Sequence, residues 1–195
     1  MVKVNPMGSQ SIVITMAEVL ALYANGRRDF SRLDFHEAWM PGLVLPGTDL
    51  TQANLVSANL SDAVLAGAQL GGCNLWRASL AGANLAAVNL ARAVLIRADL
   101  SRADLTQASL SYTDLRLATL HEGILRGADL RHANLSYTDL RQADLTGADL
   151  RGADLTGANL RGTSLATANL EGACLDRVWL DEAEPPHPEL SSAAL

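Results

Sequence analysis

Two cysteines and four histidines are the residues of this chain best suited to metal or redox chemistry, and their spacing supports neither. Cys73 and Cys174 lie far apart, outside any C-x-x-C pair. His36, His121, His132 and His187 are scattered, whereas a zinc site draws its ligands from short, fixed spacings. Serines and aspartates are plentiful, but a repeat dictates where they fall, so no nucleophile and base can be singled out. The glycines build no phosphate-cradling loop. No catalytic residue, cofactor or metal is expected. The chemistry that remains is recognition: Trp76, the arginines Arg77 and Arg97, and the aliphatic Val56, Val94 and Ile96 have the composition of a protein-binding hot spot. They need an element that brings them together.

That element is a repeat of five. From Phe30 to Leu180 every fifth residue is large and apolar, and from Leu45 onward it is always Leu, giving (180 − 30)/5 + 1 = 31 quintets without an insertion. Two positions before this centre, 28 of 31 residues are small or β-branched, 20 of them Ala; the exceptions are Arg28, Leu33 and Leu43. One position before the centre, 19 of 31 are Asp or Asn, and two positions after it sit 11 of the 15 glycines.

A period of five fits neither common element. On an α-helix each step of five turns the side chain by about 140°, which scatters the leucines around the axis. In one long strand an odd period sends alternate leucines to opposite faces. Within a quintet, however, the small residue and the Leu are two apart, so a short extended piece points both inward. The next two residues must then turn, and Gly there supplies a positive φ. The chain coils around a leucine-filled axis. The Asp or Asn between the inward residues lies on the outer wall, where it can bond nearby backbone amides.

Quintets such as Ala128-Asp129-Leu130 and Ala153-Asp154-Leu155-Thr156-Gly157 resemble the pentapeptide-repeat family, over residues 28–182. The resemblance implies an all-β fold, a right-handed quadrilateral β-helix with four quintets per coil and seven to eight coils, roughly 35–40 Å long at the usual strand spacing. Leu centres preceded by Ala, and the lead-in from Val19 to Phe30, resemble the cyanobacterial branch, some members of which regulate heterocyst differentiation. The branch that mimics DNA and inhibits gyrase favours Phe centres and Cys or Gly quintets, and dimerises through C-terminal structure.

Four quintets per coil allow the walls to be indexed in steps of twenty. Val56, Trp76 and Ile96 then stack after the centres at 55, 75 and 95, with Val94 beside Ile96. Arg77, Arg97, Leu117 and Tyr137 form the neighbouring column, and Arg92 with Tyr112 the adjoining corner. This wall is the expected interaction surface, for a protein partner of unknown identity; a homodimer is compatible with it. A DNA mimic acting on a type II topoisomerase would need a strongly negative rod. Residues 49–161 hold eleven acids against ten arginines, and the remaining excess toward the net charge of −6 lies mainly in the C-terminal coil and beyond. A spacer with no discrete site is the third reading. The same balance argues against binding nucleic acid.

The expected organisation is a flexible N-terminus at 1–14, a capping helix at 15–27, the β-helix at 28–182 and a tail at 183–195. Thr15 and Glu18 have capping-box spacing, Gly26 suits the helix stop, and Met16, Val19, Leu20 and Tyr23 share a face able to seal the first coil. Arg116, Arg126, Arg131, Arg141, Arg151 and Arg161, each directly after a Leu centre, are expected to pair with nearby carboxylates. No segment reads as membrane-spanning or as a convincing signal peptide. The cytoplasm is the expected compartment, with periplasm or thylakoid lumen as alternatives.

Overall fold

The structure, a computed structural model, describes residues 2–4 and 12–181; the expected tail at 183–195 lies outside the described residues. The β-helix is built from single-residue parallel bridges that join each position before a centre to its equivalent twenty residues on, from Asp29↔Asp49 to Asn159↔Trp179. Four quintets therefore complete one coil, and the chain is a right-handed quadrilateral β-helix.

Hydrogen-bond accounting explains the composition of the quintet. Around Leu75, the centre N–H donates to the Val94 carbonyl of the next coil at 2.7 Å, and the Arg77 N–H to the Ile96 carbonyl at 3.1 Å. The Asn74 N–H donates to the Ala53 carbonyl of the previous coil at 3.1 Å, and the Ala78 N–H closes the corner onto the Leu75 carbonyl at 2.9 Å. One donor is left over, the N–H directly after the centre. Asn74 Oδ1 accepts it from Trp76 at 3.2 Å, as Asp104 does from Thr106 at 2.9 Å and Asp154 from Thr156 at 2.9 Å. An Asp or Asn before the Leu thus completes the backbone's pairing.

The interior is a stack of Leu and Ala, with Leu65, Leu100 and Leu130 fully buried. Thr residues replace Ala where a hydroxyl finds a carbonyl, as Thr48 to Leu45 at 2.8 Å and Thr138 to Leu135 at 2.6 Å. Cys73 takes an Ala position, its thiol donating to the Leu50 carbonyl. Burial pushes that thiol up to about 12, which keeps it un-ionised.

Helix α1, Met16–Ala24, has the full capping box: the Glu18 N–H donates to Thr15 Oγ1 at 3.2 Å and the Thr15 N–H to Glu18 Oε2 at 2.6 Å. It stops at Asn25 and Gly26, the latter at φ +91°. Val19 is fully buried over the first coil, with Met16, Leu22 and Tyr23 packed around it. The Tyr23 hydroxyl donates to the Pro46 carbonyl at 3.0 Å. Leu20, expected on this face, is instead 44% exposed, and Leu22 takes its place three residues from Val19.

Within the segment expected to be flexible, 1–14, the described residues form two short strands. Val2–Val4 (β1) and Ile12–Ile14 (β2) pair antiparallel, with Lys3 opposite Val13. The signal was two triplets rich in β-branched residues, Val2-Lys3-Val4 and Ile12-Val13-Ile14, flanking Asn5, Pro6 and Gly8, which are turn-forming residue types.

Candidate functional site

Successive bridges Asn54↔Asn74, Asn74↔Val94 and Val94↔Asp114 fix one wall of the square. Val56, Trp76 and Ile96 therefore stack one coil apart, and the indexing by twenty holds. Trp76 is 37% exposed, and the Arg77 guanidinium lies 4.5 Å from its ring centroid. Val56, Val94 and Ile96 are only half-buried, while Leu117 and Tyr137, farther along the corner column, stand out into solvent. The eight residues share one wall and its corner, with Trp76 as the one large exposed group at its middle. Arg92 stacks on Tyr112 at 5.4 Å and Tyr112 on His132 at 5.0 Å, so the opposite corner carries its own stacked column.

Corner geometry decides how these side chains project. Every described residue two past a centre, from Arg32 to Arg177, has a positive φ near +60°, whether glycine or not. Such a side chain can lean toward the next coil and lie over the corner residue twenty positions later. Tyr137 does so over Gly157, where an added Cβ would come within 2.7 Å of the ring; His132 does the same over Gly152 at 2.6 Å.

Arginines separate cleanly by position. Four of the six directly after a centre share a wall with an aspartate two residues earlier and fork onto it. In Arg131 the Nε donates to Asp129 Oδ1 at 2.8 Å and Nη2 to Oδ2 at 2.7 Å, and Arg116, Arg141 and Arg151 repeat the pattern on Asp114, Asp139 and Asp149. Arg126 reaches across to Asp144 of the next coil. Arg161 departs from expectation: Asn159 stands where the aspartate would be, and the guanidinium lies 5.3 Å from the Trp179 ring. The hydrogen bonds from Arg131, Arg141 and Arg151 hold Asp129, Asp139 and Asp149 below the usual carboxylate range, against the opposing effect of partial burial. By contrast, the corner arginines Arg32, Arg77, Arg92, Arg97, Arg102 and Arg177 make no ion pair among the described residues.

Sequence reasoning passed over several outward apolar residues, because it treated the position before the centre as the place for Asp or Asn. Trp39 is 75% exposed there, Trp179 56%, Val44 53% and Ile124 40%, all more than Trp76. The readable signal was an apolar residue at a position the repeat reserves for polar ones. Among the described residues no group of His, Cys, Asp and Glu could hold a metal ion. The hollow lined by Tyr137, Gly157, Arg177 and Trp179 is an open trough on the surface. Among the same residues no helix is long and apolar enough to cross a membrane.

The model of the family described as pentapeptide repeats matches the chain in eight copies, over residues 29–65, 58–89, 83–121, 124–162 and 148–183. No curated protein matches. Among solved structures, the chain is 32% identical to HetL, a pentapeptide repeat protein involved in heterocyst differentiation regulation from the cyanobacterium Nostoc sp. strain PCC 7120. That match covers 88% of this chain and 95% of HetL, with a TM-score of 0.39. It is 33% identical to a pentapeptide repeat protein of the Arabidopsis thaliana thylakoid lumen, over 52% of this chain and 71% of that one, with a TM-score of 0.51. To QnrB1, a plasmid-mediated fluoroquinolone resistance protein, it is 17% identical over 73% of this chain and 92% of that one, at a TM-score of 0.37.

Proposed function

The chain belongs to the family of pentapeptide-repeat proteins, and from that premise we propose that it is a non-enzymatic binding protein that docks a protein partner on the Trp76 wall. The observation that carries the reading is the stack of Val56, Trp76 and Ile96 in consecutive coils, flanked by Arg77 and Arg97. A rigid wall loses little conformational freedom on binding, and a Trp beside Arg is the kind of anchor that dominates interface energy. A regulatory role is favoured by the 32% identity to a protein involved in heterocyst differentiation regulation.

The DNA-mimic alternative finds less support. Forked arginines offset the aspartate rows of the C-terminal half, whereas a duplex presents an unbroken series of negative charges.

The test is affinity capture from lysate with the wild type and with Trp76→Ala/Ile96→Asp, both shown by circular dichroism to be folded. A protein retained by the wild type and lost by the variant is the expected result. If both capture the same proteins, or none, the wall is plain scaffold and the spacer reading replaces this one.

A further inference from the structure

We infer that the segment received by the Trp76 wall is acidic, a peptide stretch that combines carboxylates with apolar side chains. The inference rests on the docking role proposed above and narrows it to a class of partner.

Across the three coils that hold Val56, Trp76 and Ile96, the wall and its two corners contain no acidic residue. The outward positions are Asn54, Val56, Asn74, Trp76, Val94 and Ile96, and the corners add Gln52, Gly72 and Arg92 on one side, Ser57, Arg77 and Arg97 on the other. Three arginines therefore frame an apolar centre, and the carboxylates of this wall lie outside those three coils: Asp34 and the corner residue Glu37 one coil before, where Asp34 accepts from the His36 N–H and from Asn54 Nδ2, and Asp114 one coil after. Asp114 is already occupied by Arg116.

The nearest acid beyond the corner is Asp99, and its Oδ1 accepts both the N–H and the hydroxyl of Ser101. Neither Arg97 nor Arg102 forms an ion pair with it. Corner arginines pair with no aspartate anywhere along the described β-helix, and on this wall no carboxylate stands within the three coils to offset them, so the three cations mark a local reversal of charge in a molecule of net −6.

Stacking completes the argument. The Arg77 guanidinium lies 4.5 Å from the Trp76 ring centroid and that of Arg92 5.4 Å from the Tyr112 centroid, so each cation sits beside an aromatic face, and neither makes an ion pair among the described residues. A partner with acids at two points and apolar residues between them would meet Arg77 and Arg97 at one corner, Arg92 at the other, and Trp76 and Ile96 in the middle. Nucleic acid is the other polyanion to weigh. It fits less well, because the aspartates of neighbouring walls repel a long phosphate chain and the aliphatic residues offer it nothing.

The experiment pans a displayed library of random twelve-residue peptides against the full chain and measures the affinity of the selected peptides. The expected peptides are rich in Asp or Glu together with apolar residues. Their binding weakens about tenfold in Arg77→Glu/Arg97→Glu and falls steeply with salt, while Arg151→Gln, at a fork, leaves it unchanged. The reversed charges are compatible with the backbone, since Glu37 and Glu122 already occupy such corners at φ +54° and +56°. Peptides that need Trp76 but lack acids and ignore the charge reversal would keep the docking wall and overturn the acidic class. Peptides indifferent to Trp76→Ala would remove the wall itself. A labelled twenty-nucleotide single strand that binds and is released by the charge reversal would overturn the inference in favour of nucleic acid.

Discussion

A left-handed backbone is strained for any residue with a Cβ, at about 1–2 kcal/mol, yet this chain adopts it at Arg77, Tyr112, Leu117 and many other corners besides the glycines. Glycine is then needed for a second reason, the side chain that arrives from the coil before. Gly67 and Gly157 both have φ +68°, but nothing lies within 4 Å of an added Cβ at Gly67, whereas at Gly157 the Tyr137 ring lies within 2.7 Å. Gly67→Ala should lower stability by about 1 kcal/mol through backbone strain alone. Gly157→Ala should cost more, by whatever the Tyr137 ring gains from lying on the corner, about 0.5–1 kcal/mol. Thermal melts of a double-mutant cycle decide it: with Tyr137→Ala in place, the two glycine substitutions should become equal. If they already match in the wild-type background, the ring contributes nothing. The left-handed corners were legible at the eleven glycines. At Arg and Tyr corners the residue itself gives no such signal, and only the unbroken phase of the repeat implies the same conformation.

Among the elements, the walls of the C-terminal half are ladders in which each aspartate has two duties. Asp129 Oδ1 accepts the Arg131 N–H, which an Asn would do equally well, and the carboxylate also holds the guanidinium, which an Asn would not. Because the folded state lowers the carboxyl pKa of Asp129, Asp139 and Asp149, their stabilisation is complete above the unfolded value near 3.9. It drains away as the pH falls through the lower folded values. Substituting all three by Asn should therefore lower the melting temperature modestly at pH 7, and the gap to the wild type should close as the pH falls below the unfolded carboxyl value of about 3.9 and through the lowered folded values. A gap that stays constant with pH would mean that the forks add nothing beyond the shared backbone cap. The sequence placed these pairs well, because Asp and Arg two residues apart on one wall are in reach by geometry alone. It misjudged Arg161, whose partner position holds Asn159 and whose nearest aromatic, Trp179, arrives only when the coil closes. The helix was legible from Thr15 and Glu18. The β1–β2 pair was missed because three-residue strands carry little periodicity to read.

Taken whole, the molecule is a one-dimensional stack in which each coil touches only the coils before and after it, so stability accumulates from neighbour to neighbour rather than from one central core. Position along the axis should then matter more than residue type. Leu95 and Leu170 are both Leu centres preceded by small residues, but Leu95 is sealed between two coils and fully buried. Leu170 lies in the last described coil, where Leu165 and Leu175 are only partly buried. Leu95→Ala leaves a cavity between rigid coils that cannot collapse onto it, and should cost about 2–5 kcal/mol. It should also weaken the coupling between the two halves, so that denaturant unfolding becomes broader, with a smaller apparent m-value. Leu170→Ala removes the same atoms where neighbours are fewer and can relax, and should cost less than half as much while leaving the transition sharp. Urea titrations followed by far-ultraviolet circular dichroism distinguish the two. Equal losses at both sites would show that the stack behaves as a single cooperative core, and the rigidity on which the Trp76 wall depends would then be set by the whole molecule rather than by the coils beneath it.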